Sequence, residues 1–140
     1  MKSRVLPFVC TLALLFLSVT RLVAQEFKPE QNYVIRNVST GLVLDNRASD
    51  APNAPIVLAT ADKKSESQLW HLADCGRGAF NIASPLNDMS VDNGNQGNRE
   101  SNLIQWSTEL DNANQQWMVR KLANGNYTFV CRAGGLALSA

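Results

Sequence analysis

The side chains with the widest chemical reach are few and far apart in this chain. It holds one histidine, His71, which directly follows Trp70 in a segment of strand character. General-base catalysis needs a nucleophile or proton donor within hydrogen-bond reach of the base. His71 reads instead as a residue on a strand face. Asp45 and Asp92 each head an Asp-Asn pair. A glycosidase sets two carboxyl groups about 5–10 Å apart across the bond it cuts. These two lie 47 residues apart in repeated sequence, which places them at equivalent points of separate units. No Gly-x-Ser-x-Gly occurs, and Gly94-Asn95-Gln96-Gly97 resembles a phosphate-cradling loop only superficially. The three cysteines, Cys10, Cys75 and Cys131, form no Cys-x-x-Cys, and no metal-ligand spacing is present. The expectation is a protein without catalytic residues, metal or cofactor.

What the chain has instead is repetition. Shifted by 47 residues, it overlays itself without a gap. Tyr33 falls on Phe80, Leu44 on Val91, Asp45-Asn46 on Asp92-Asn93, and Gln68-Leu69-Trp70 on Gln115-Gln116-Trp117. A shift of 94 begins a third copy, with Tyr33 on Tyr127, Ile35 on Phe129 and Leu44 on Leu138. Within each copy the apolar residues are spaced by two, the strand signal. Turn formers separate the pairs, as in Asn37–Gly41 and Asn93–Asn98. Each copy therefore reads as four short strands. In the first copy these fall near 33–37, 42–45, 56–60 and 69–72. One such unit cannot bury its own apolar side, so the copies must close on one another.

The 140 residues leave room for one domain. Residues 1–24 differ in kind. Lys2 and Arg4 precede an apolar run from Val5 to Val19, and Ala24 offers a small residue before Gln25. That order reads as a secretory signal peptide, so residues 25–140 are expected to be exported, with no membrane attachment after cleavage. Losing Lys2, Arg4 and Arg21 leaves ten basic against twelve acidic residues, a formal charge of −2. Without a basic block, nucleic acid is not an expected partner. Cys75 and Cys131 remain, either as a disulfide or as two buried thiols.

The paired Gln-x-Trp segments and the upstream Leu44-Asp45-Asn46 and Val91-Asp92-Asn93 resemble ricin-type β-trefoil lectins. Thr40-Gly41-Leu42-Val43-Leu44 resembles the family's lead-in to this segment. The likeness covers about residues 31–140. It implies an all-β trefoil with lobes near 31–77, 78–124 and a partial third at 125–140. It implies a structural role for Gln68, Trp70, Gln115 and Trp117, with tryptophan in the core and glutamine tying the turn. It also implies a sugar site in each lobe, built from an aspartate ending the second strand, an aromatic on the third, and an asparagine before Gln-x-Trp. The chemistry suits a sugar. A carboxylate accepts vicinal hydroxyls through charge-assisted bonds, an amide donates and accepts, and an aromatic face covers the apolar side of the ring.

The second lobe holds a full set: Asp92, Trp106, Asn114 and Gln115. Trp106 shares its alternation with Ile104, the better core candidate of the two. The first lobe holds Asp45 but has Ala59 and Ser67 in the other places, so a turn-capping role suits Asp45. Ser139 stands where a third aspartate would be. The expected partner is a glycan, with galactose-type sugars common in the resembling family. Two further readings are a trefoil protease inhibitor acting through a loop, and a detached carbohydrate-binding appendage of a glycoside hydrolase. The third copy's last two strands would fall beyond Ala140. Open strand edges there predict self-association.

Overall fold

The computed structural model describes residues 27–94 and 102–138. The expected signal peptide, residues 95–101, which hold most of the expected turn Asn93–Asn98, and Ser139 lie outside the described residues. The first strand pair is the hairpin β1 (Val43–Asp45) and β2 (Val57–Ala59). β3 (His71–Gly76) and β4 (Ala79–Ala83) form a second hairpin. Its turn holds Gly76, Arg77 and Gly78 in the left-handed region, with φ of 82°, 56° and 76°. β5 (Met89–Asp92) pairs with β6 (Ile104–Ser107), and β7 (Gln116–Lys121) with β8 (Tyr127–Cys131). The larger sheet runs β6-β5-β4-β7-β8, with β3 also on β4.

The 47-residue repeat is visible in the pairing. Tyr33 bridges Trp70 as Phe80 pairs with Trp117. Two 3-10 turns, Glu66–Gln68 and Ala113–Gln115, occupy equivalent places. The third copy follows suit. Leu138 donates its N–H to the Phe129 carbonyl at 2.8 Å, as Leu44 donates to Ile35 at 2.9 Å. The strand expected at 33–37 is reduced to bridges at Tyr33 and Arg36. The one expected at 69–72 runs on to Gly76, because β4 folds straight back along it.

The core gathers one set of residues from each copy: Leu44 and Val91, Trp70 and Trp117, with Ile56, Ile82 and Cys131. A second cluster of Leu72, Phe80 and Val119 packs below it. Phe27 meets Tyr33 and Phe80 edge-on there, at centroid distances of 5.4 and 5.3 Å. Among the described residues an apolar cavity of about 670 Å³ lies between the Tyr33–Arg36 segment and β8, lined by Ile35, Leu58, Leu72 and Phe129. Both described cysteines are free thiols, which settles the alternative left open by their number. No helix of the described residues is long and apolar enough to cross a membrane.

Candidate functional site

The β5–β6 hairpin positions the second-lobe residues. Asp92 stands opposite Ile104, and Ser90 opposite Trp106. Residues facing each other across an antiparallel pair share a face, and diagonal neighbours remain within reach of an aromatic side chain. Val91 belongs to the core, so Asp92 and Ser90 project to the other side. On β6 the phase differs from the expectation for Ile104. Leu103, just ahead of the strand, packs on the core, and Gln105 is buried. Ile104 is thus displaced from the core role, and Trp106 falls on the Asp92 side with 40 % of its surface exposed. Trp70 and Trp117, by contrast, are 0 % and 1 % exposed. The reason is Gln105. Its amide donates to the carbonyls of Ser49 at 2.7 Å and Ala51 at 2.8 Å, so a buried polar side chain holds the inward place.

Asp92 is braced from within the lobe. Its Oδ1 accepts the Gly94 N–H at 2.8 Å, and its Oδ2 accepts from Gln115 Nε2 at 3.1 Å. Gln115 also donates to the Ser107 carbonyl at 3.0 Å and accepts the Glu109 N–H at 2.8 Å. Trp117 Nε1 donates to the Val91 carbonyl at 3.0 Å. Two of the roughly four lone-pair sites of a carboxylate are therefore engaged by described residues, and the residue is 5 % exposed. The sequence assigns Gln115 both a binding and a structural role. Its amide is fully buried, with both N–H groups and the carbonyl oxygen engaged in the brace.

Asn114 sits in the Ala113–Gln115 turn, capped by the Asn112 side chain, which accepts the Asn114 N–H at 3.0 Å. Its carbonyl accepts the Asn93 N–H at 3.2 Å, which sets the turn against the end of β5. Among the described residues no hydrogen bond engages the Asn114 side-chain amide, which is partly exposed.

The first lobe carries the same brace, bond for bond. Asp45 accepts from the Arg47 N–H at 2.6 Å and from Gln68 Nε2 at 2.9 Å. Gln68 donates to Thr60 O at 3.0 Å and accepts the Asp62 N–H at 2.8 Å, and Trp70 donates to Leu44 O at 3.1 Å. Burial pushes the Asp45 carboxyl up, but the bonds from Gln68 and Arg47 outweigh it and hold the group below its ordinary range. The outer face differs. Ala59 takes the place of Trp106, and the buried Ser67 hydroxyl is 2.7 Å from that of Ser65.

Sequence reading missed one set of contacts. Asn46 Nδ2 donates to Ser84 Oγ at 3.0 Å, and Asn93 Nδ2 donates to Cys131 Sγ at 3.2 Å. Both pairs span 38 residues, so the signal was an Asn in one copy answered by a small polar residue in the next.

Two lobes of short strands tied by Gln-x-Trp and part of a third, packed on a shared core, have the architecture of a β-trefoil. The sequence matches the ricin-type beta-trefoil lectin domain-like family over residues 23–106 and again over 66–140, and the chain belongs to that family. The fold resembles the designed threefold-symmetric protein ThreeFoil, with 28 % identity and a TM-score of 0.72 over 76 % of each chain. It resembles part of an exo-beta-1,3-galactanase from Clostridium thermocellum, with 28 % identity and a TM-score of 0.70. There the match covers 79 % of this chain and 24 % of the enzyme. A Polyporus squamosus lectin, solved with Neu5Acα2-6Galβ1-4GlcNAc, shares the fold at 12 % identity and a TM-score of 0.63, over 76 % of this chain and 37 % of the lectin. Among curated proteins none matches the sequence. Family membership supports a carbohydrate-binding module.

Proposed function

We propose that this chain binds glycans, without catalysis, through one working site in the second lobe. Asp92 accepts sugar hydroxyls, Asn114 adds a donor and an acceptor, and Trp106 covers the apolar face of the ring. Asp45 in the first lobe is structural. The observation that carries this reading is the exposure of Trp106 on the Asp92 face, where the first lobe presents only Ala59. Among the described residues of the site, Asp92 has no second carboxylate or histidine as a hydrogen-bond partner or cross-strand neighbour, which suits recognition and not bond cleavage. Galactose-terminated glycans are the first ligands to test, and lactose titrated by calorimetry tests the site. Weak saturable binding by the parent chain and its loss in Asp92→Ala support the reading. Equal heats from the two proteins refute it.

A second reading concerns context. The match to 24 % of a galactanase supports a module that serves a hydrolase by holding polysaccharide. Binding to insoluble β-galactan, with no release of reducing sugar, is its expected mark. Export is part of the proposal too, and mass spectrometry of secreted protein should find an N-terminus near Gln25. The apolar cavity beside β8 supports self-association, which light scattering across a concentration series would reveal as a rising mass.

A further inference from the structure

The turn that carries Asn114 is held from outside its own lobe. Three consecutive residues at the end of β8 and just past it reach it. Ala133 donates its N–H to the Ala113 carbonyl at 3.1 Å. The Cys131 thiol lies 3.6 Å from the carbonyls of both Ala113 and Asn114. Arg132 donates its N–H to Gln116 O at 2.8 Å, and its guanidinium donates to Gln116 Oε1 at 2.6 Å. Gln116 passes the restraint on, donating from Nε2 to the Leu110 carbonyl at 2.6 Å. The relay Arg132–Gln116–Leu110 therefore spans the turn from its last residue to its first.

The first lobe lacks this relay. It keeps only the bond within the lobe, the Asn46 N–H on the Ser67 carbonyl at 3.1 Å, which is the counterpart of Asn93 on Asn114. At the positions equivalent to Gln116 and Arg132, however, it has Leu69 and Pro85. Neither can carry a side-chain hydrogen bond. The guanidinium relay is present only in the lobe that also holds Trp106 and Asn114. A charge-assisted bond is the stronger kind, and the planar guanidinium loses little freedom in making it. Gln116 is 6 % exposed, and the guanidinium reaches its buried amide oxygen from Arg132, which is itself exposed.

We propose that Arg132 is a positioning residue for the second-lobe site. Acting through Gln116, it fixes the 110–116 turn so that the Asn114 amide is presented beside the end of β5. The site is then a joint product of the second and third lobes, and this inference rests on the carbohydrate reading above. Two measurements on the whole chain test it. Lactose calorimetry compares the parent with Arg132→Ala, Arg132→Lys, Gln116→Ala, the Arg132→Ala/Gln116→Ala pair and Asp92→Ala. Hydrogen exchange follows the amides of Asn93 and Gln115 against their first-lobe counterparts, Asn46 and Gln68.

Arg132→Ala should weaken lactose about threefold to tenfold, in line with the loss of one charge-assisted bond. Its Asn93 and Gln115 amides should exchange several-fold faster, with Asn46 and Gln68 unchanged. Lysine should restore part of both effects, and the double variant should lose no more than either single one, because the two residues act as one relay. Parental affinity in Arg132→Ala, where Asp92→Ala has lost binding, overturns the inference alone. Exchange that quickens equally in both lobes marks general destabilisation and also overturns it. If the parent and Asp92→Ala respond to lactose alike, the carbohydrate reading falls and takes the inference with it.

Discussion

The first and second lobes share a skeleton and differ in what they put on it. Asp45 and Asp92, Gln68 and Gln115, Trp70 and Trp117 make matching hydrogen bonds, each within a few tenths of an ångström of its counterpart. Yet one lobe turns Ala59 outward and the other Trp106. The brace is therefore not evidence of a site. A buried aspartate that accepts a glutamine amide closes the turn in either lobe, and the binding proposed for Asp92 would be a second use of the same carboxylate. This separates stability from recognition and makes the comparison open to test.

The largest expected effect falls on both lobes alike. Trp70→Ala and Trp117→Ala each empty a fully buried site and should cost about 3–5 kcal/mol in denaturant unfolding, enough to threaten folding. Near-equal losses uphold the equivalence of the lobes, and a tolerated Trp117→Ala would break it.

Next come the aspartates. Asp45→Ala and Asp92→Ala each strand a buried glutamine N–H and should cost about 1–3 kcal/mol of stability. Only Asp92→Ala should also abolish lactose binding, so the pair separates the two uses of the residue. Asp45 further predicts a pH dependence. Its folded carboxyl sits below the ordinary value of 3.8, so its stabilisation is full above that value and fades as pH falls through the lowered one. Asp45→Asn should remove this part of the acid sensitivity, and a melting series below pH 5 would show it.

Trp106→Ala should leave stability within about 0.5 kcal/mol, as surface changes do, while weakening lactose. A large stability loss would return Trp106 to the core. The smallest effect concerns Arg47, which holds φ at 56° where the second lobe places Gly94 at 69°. Arg47→Gly should raise stability by up to about 1 kcal/mol, because glycine meets no steric cost there.

Much of this was legible before any coordinates. The repeat emerges from Tyr33, Leu44, Asp45 and Trp70 meeting their counterparts 47 residues on, because residues that share a core position must stay apolar and in register. The outward face of β6 was not legible. Leu103 and Ile104 are both apolar, and Gln105 looks like the solvent-facing member of the strand. Its inward place is stabilised by carbonyls more than fifty residues away, at Ser49 and Ala51, which no local pattern can report. The role of Cys131 was hidden for a related reason. A thiol stands where the first repeat has the Ser84 hydroxyl, and cysteine invites thoughts of disulfides before hydrogen bonds.

The anchoring of Gln105 also bears on the tempo of recognition. The residue before Trp106 is tied at every polar atom. Its N–H bonds Ala54 O at 2.9 Å, its carbonyl accepts from Asn53 at 2.8 Å, its amide nitrogen grips the 49–51 loop, and Asn87 donates to its Oε1 at 3.2 Å. The backbone that carries the platform is therefore preorganised. In the proposed site a ligand would have no β6 strand to order, so differences among sugars should fall on the dissociation rate. Single encounters should be brief, and lasting attachment would need several linked copies of the chain on a surface that presents many copies of the glycan.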